Sequence, residues 1–178
     1  MIWIISAHER LREANGLAAV LDAAYDAFEG MLTVIRVGQD NAGGLFAAFG
    51  KSAASAADGR NAILLAPSLP PHCLHRTPAP GEGSHRGEGA ESIAVCLAAL
   101  SQLLTDRLAQ AAKSAPDYRD RAACRSAARR ARDIHALLTG PGCDQPGREH
   151  PDSPAPSHGR CGPAPSWRTS WPSPVQDP

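Results

Sequence analysis

Residues 6–67 read SAHERLREANGLAAVLDAAYDAFEGMLTVIRVGQDNAGGLFAAFGKSAASAADGRNAILLAP, and an apolar residue recurs there every third then fourth position. The series runs through Leu11, Ala14, Ala18, Leu21, Tyr25, Phe28, Leu32 and Ile35, then Ala42, Phe46, Phe49, Ala53, Ala56 and Ile63. Only Gln39 and Arg60 interrupt it. Such spacing predicts a helix with one apolar seam that needs a partner helix. Ser6 followed by Glu9 reads as a capping box at its start, and Pro67 ends it. Gly30, Gly38 and the pair Gly43-Gly44 each cost about 1 kcal/mol in a helix interior. Because the seam keeps phase across the pair, one long helix over residues 1–66 with a weak point there is the favoured reading.

Of the 178 residues, 43% are apolar but only 4% aromatic, so the core must be built from small side chains that let helices approach closely. Lys plus Arg equals Asp plus Glu at 18 each, which excludes bulk electrostatic attraction to nucleic acid or anionic membranes. Sixteen of the 18 basic residues are Arg, an imbalance that lowers the information in any single one. Five cysteines without a CxxC pair indicate neither a disulfide framework nor a zinc ribbon. The apolar start, Met1 to Ile5, is too short for a signal peptide, and Ile93 to Thr105 falls short of the roughly 18–20 residues of a span. A cytoplasmic location without a transmembrane segment is therefore expected.

Residues 67–90 form a Pro- and Gly-rich connection with no apolar period. A second helix is expected over Glu91 to Lys113, with the stripe Ile93, Leu97, Leu100, Leu104, Leu108 and Ala111. Ser114, Pro116 and Asp117 read as the cap and first turn of a third helix. Its stripe holds Tyr118, Ala122, Ala127, Ala131, Ile134 and Leu138, and Gly140-Pro141-Gly142 stops it. Residues 141–178 lack periodicity and read as a disordered tail, with Trp167 and Trp171 as its large apolar groups. The fold class is all-α. At 1.5 Å per residue the first helix spans roughly 90 Å and the other two end to end roughly 73 Å, which favours a long antiparallel hairpin. Should Gly43-Gly44 break the first helix, the same chain makes a short three- or four-helix bundle.

Motifs with catalytic meaning fail on context. Gly50-Lys51-Ser52 ends like a phosphate-binding loop, but Leu45 occupies the place of the first glycine and no strand precedes it. Gly81 to Gly87 has one residue too many for a dinucleotide fingerprint. His72, Cys73, His75 and His85 are metal-ligand types without the spacing of a closed site, and Cys143, His150, His158 and Cys161 are spaced still less regularly. With no nucleophile elbow, HExxH helix or DxD pair, the sequence points to no catalytic, cofactor-binding or metal-binding residue and to no cofactor.

Two surfaces remain as candidates. Leu17, Val20, Met31, Val34 and Leu45 lie beside the seam and suit a protein partner or a second copy of the chain if the hairpin leaves them uncovered. The third helix carries six Arg and three Asp, with Arg121, Arg125, Arg129 and Arg132 on one face, as a phosphate-binding stripe would have them. In the hairpin, positions summing to about 157 face each other, which sets Arg132, Arg129 and Arg125 against residues near 25, 28 and 32, at the height of Asp22, Asp26 and Glu29, as register-fixing ion pairs.

The runs Ala24-Tyr25-Asp26-Ala27-Phe28-Glu29 and Ser55-Ala56-Ala57-Asp58-Gly59-Arg60, the latter leading to Ala66-Pro67-Ser68-Leu69-Pro70-Pro71, resemble small Ala-rich helical actinobacterial proteins of unknown function, some encoded on mobile elements. The resemblance covers about the first 70 residues and transfers no activity or site. The expectation is a non-enzymatic scaffold or adaptor that self-associates or binds a partner through the apolar seam. The alternative, for which a mobile element is one setting, is an accessory or regulatory nucleic-acid-binding protein.

Overall fold

The apolar seam belongs to three helices. In the computed structural model, which describes residues 2–39, 43–71 and 89–140, α1 spans Ile2–Glu13, α2 Leu17–Gln39, α3 Phe46–Leu64, α4 Ala90–Ser114 and α5 Tyr118–Thr139. No strand occurs among the described residues. The long helix expected over 1–66 is thus corrected at two places. Gly16, at φ +85°, turns the chain between α1 and α2. Gly43, at φ +47°, opens a 3-10 turn over Gly43–Leu45 that leads into α3. Both values lie in the left-handed region that only glycine enters without strain. Ser6 consequently caps nothing and sits exposed inside α1.

Phase continuity misled because α2 and α3 fold back on each other and bury their apolar faces in one core. Gly59 lies against Phe28, Gly38 against Phe49, and Arg60 reaches Glu29, so α2 and α3 run antiparallel. His135 Nδ1 lies 3.1 Å from Ala98 O, which makes α4 and α5 antiparallel instead of one kinked rod. Ser68 meets Asp120 and Arg130 meets Asp58, which pairs α3 with α5 in the same sense. Neighbour contacts close the ring α2–α3–α5–α4, a four-helix bundle, with α1 laid on α2 and α4. The bundle, not the long hairpin, is the architecture.

The end of α3 lies beside the start of α5, whereas the start of α4 lies beside the end of α5. The chain between Pro71 and Gly89 therefore joins opposite ends of the bundle. A 25-residue α4 is about 37 Å long, which explains why a short turn cannot serve here. Most of that connection, and the tail expected after residue 140, lie outside the described residues.

Leu11, Leu21, Phe28, Met31, Ile35, Phe49, Ile63, Leu97, Leu100, Leu104, Leu108 and Ile134 are fully buried. Between them Ala24, Ala27, Ala56, Ala127 and Ala131 allow the close approach that the composition implied. α4 is long and apolar enough to cross a membrane by length and composition alone, but half of its apolar window is buried inside the bundle. Ser101 and Thr105 in α4 satisfy their hydroxyls on Leu97 O and Ser101 O. Ser52 Oγ in α3 is buried without a hydrogen-bond partner among the described residues. Removing that hydroxyl as Ser52→Ala is expected to raise the unfolding free energy by about 1 kcal/mol, since an unsatisfied buried donor is a net cost. Urea unfolding checks it.

Candidate nucleic-acid interface

Asp117 caps α5, accepting from Arg119 N at 2.7 Å, and so sets the phase of every residue that follows. Ala123, Cys124, Ala127, Ala128, Ala131, Ile134 and Leu138 then face the core. Opposite them the six arginines divide by partner. Arg121 donates to Ala115 O and Pro116 O, both at 3.0 Å, just past the end of α4. Arg119 lies over the Tyr118 ring, 5.8 Å from its centroid. Arg130 pairs with Asp58 at 3.2 Å and Asp133 at 3.5 Å. Arg125, Arg129 and Arg132 are exposed and have no ion-pair partner among the described residues.

At 100° per residue these three fall within about 60° of one another and span roughly 10 Å of helix. Ala122 and Ala136 share the face and are exposed, so little obstructs the guanidinium groups. Tyr118, two turns before Arg125 on the same face, is 66% exposed. Tyr118 and Ala122 were expected in the buried stripe; helical spacing places them on the outer face instead. The partly solvated arrangement can hold oxyanions by charge and hydrogen bonding, and it lacks the amide side chains that read base edges.

The register expected between the α5 arginines and the acidic patch is also corrected. Asp22 and Asp26 pair with Arg10 of α1, the former at 3.3 Å, and Glu29 pairs with Arg60 of α3 at 2.6 Å. Folding back at Gly43 brings α3, not α5, against that part of α2, and α1 covers the rest. The arginines of α5 are left without those partners for that reason.

The apolar flank fares differently. Val20, Met31, Val34 and Leu45 are buried, and Leu17 is half-buried against the core, so the flank expected to await a partner is covered by the chain itself. Lys51 is exposed and Ser52 buried, both inside α3, so no phosphate-binding loop forms there. No group of three or more His, Cys, Asp or Glu able to hold a metal occurs among the described residues. The His72 cluster, the Gly81 to Gly87 loop, the tail ligand set, Trp167 and Trp171 lie outside them.

Cys124 is fully buried, and burial, reinforced by the Asp120 charge, pushes its thiol up to about 11. A thiol so raised is neutral core packing at pH 7, not a nucleophile. No protein-family model matches the chain, and neither the curated proteins nor the solved structures yield a match.

Proposed function

We propose that this protein is a non-enzymatic helical bundle that binds the phosphate backbone of duplex nucleic acid through α5, as an accessory or regulatory factor inside the cytoplasm. One observation carries the reading: Arg125, Arg129 and Arg132 stand exposed on one face without an ion-pair partner among the described residues. Exposed arginines fixed on a helix have lost little of their hydration, so engaging phosphates releases counterions at small desolvation cost. Tyr118 supplies a hydroxyl donor or acceptor on the same face. Binding of this kind is indifferent to base sequence.

Fluorescence anisotropy with a mixed-sequence DNA duplex tests it. Affinity should fall with salt with a log–log slope near −2.7, about −0.9 for each of three phosphates. The triple variant Arg125→Gln, Arg129→Gln, Arg132→Gln should lose at least tenfold in affinity at low salt and keep its helical circular dichroism. Equal binding by the variant and the parent rejects the reading.

The scaffold reading keeps one specific observation. Leu65 is 77% and Leu64 37% exposed at the end of α3, beside the start of α5, and such side chains suit a protein partner or a second copy. A parent chain that self-associates, and becomes monomeric as Leu64→Ser, Leu65→Ser, would favour that function.

A further inference from the structure

At the corner where α1 turns into α2, a cleft of about 160 Å³ opens between that turn and the last two turns of α4. Asn15, Gly16, Leu17, Arg107, Gln110 and Ser114 line it, with no carboxylate among the lining residues. From the geometry we infer that this cleft is a binding site for a small oxyanion, a phosphate or carboxylate head group, separate from the α5 surface.

The first argument is an uncompensated charge. Arg107 is half-buried and donates through one Nη to Ala14 O, and among the described residues its buried Nε has no partner and no carboxylate pairs with it. A partly desolvated guanidinium with only a carbonyl for company is costly to maintain, and an oxyanion is the ligand that relieves it. Volume is the second argument, because one water needs only about 10–15 Å³ of such space. Direction is the third. The first helical hydrogen bond of α2 is Val20 N to Gly16 O, at 3.1 Å, so the N–H groups of Leu17, Ala18 and Ala19 have no partner among the described residues. Gly16, at the cap position, has no side chain to serve them, and both it and Leu17 line the cleft. The positive end of a 23-residue helix and the Arg107 cation thus meet in one opening, with the side-chain amides of Asn15 and Gln110 as further donors, whereas the Ser114 hydroxyl is committed to Ala111 O at 3.2 Å.

The full chain is titrated with inorganic phosphate, and separately with acetate, against sodium chloride at matched ionic strength, reading the thermal midpoint and the amide NMR shifts. A saturable rise in midpoint, with shifts centred on Asn15, Gly16 and Leu17, is the expected result. The stronger of the two ions identifies the head group. Arg107→Gln should weaken the response at least tenfold. Gln110→Glu places a carboxylate beside Arg107, so it should abolish the response while its midpoint in chloride equals or exceeds that of the parent, which separates loss of the site from loss of the fold. Two results would overturn the proposal: a parent midpoint no higher in phosphate or acetate than in chloride, or variants that respond as the parent does. The triple α5 variant should respond like the parent, so this site and the nucleic-acid surface fail or stand independently.

Discussion

Phe28→Ala is expected to lower the unfolding free energy by about 3–5 kcal/mol, the range for a fully buried aromatic truncated to Ala. Phe28 is 0% exposed, and its ring lies where a Cβ on Gly59 would stand, 2.5 Å from Cζ and 2.6 Å from Cε1. The bare backbone of Gly59 is therefore what admits the ring between α2 and α3. Gly59→Ala should in turn destabilise by about 1–3 kcal/mol through overpacking, even though Ala gains about 1 kcal/mol of helix propensity over Gly. The contact predicts strong non-additivity. Once Phe28 is Ala, the added methyl of Gly59→Ala enters vacated space and should stabilise instead of destabilise. Urea unfolding of the four members of this cycle measures the coupling, and additive effects would show that the α2–α3 packing is not as described.

Asp120→Ala is expected to cost about 3 kcal/mol, the upper end for hydrogen bonds to a charged group. Asp120 is 1% exposed, in the first turn of α5, where a carboxylate is favoured by the helix field. It accepts from Ser68 N at 3.1 Å and from Ser68 Oγ at 2.7 Å, and so ties the chain leaving α3 to the start of α5. Removing it strands a backbone N–H and a hydroxyl in a half-buried place. Ser68→Ala deletes only one of the two bonds and should cost about 1 kcal/mol. Hydrogen exchange gives the local readout, with faster exchange over residues 65–69 in the Asp120 variant. If Ser68→Ala proves as costly as Asp120→Ala, the hydroxyl and not the backbone contact is the anchor.

How much of this was readable beforehand depends on the kind of signal. α4 and α5 lie within a residue or two of their expected limits, because Ser114, Pro116, Asp117 and Gly140 act on the backbone locally. The break at Asn15-Gly16 carries the same sort of signal, a glycine after a polar residue. It was hidden by the seam running unbroken through Ala14 and Ala18, of which Ala14 is buried and Ala18 exposed. The α5 face was legible as a stripe of four arginines, but its content was not. Arg121 is taken by the carbonyls that follow α4, and Tyr118 turned outward; both outcomes depend on where α4 stops relative to α5. The Arg107 cleft had no sequence signal at all, since it arises only where the α1–α2 corner meets the end of α4.

By itself the sequence determined the helical class, the stretches that form α4 and α5, the small-residue core and which side of most helices is buried. Hydrophobic period and local stop signals suffice for these, because each is settled by a residue and its near neighbours. Only the tertiary structure decided that the seam folds back twice, that the chain covers its own apolar flank, and that Asp22, Asp26 and Glu29 are matched by Arg10 and Arg60. Periodicity marks a face that must be covered without naming what covers it, and a seam in phase is the same whether the next helix continues or returns. That return commits the acidic patch to α1 and α3, and it leaves three arginines of α5 without an ion-pair partner among the described residues.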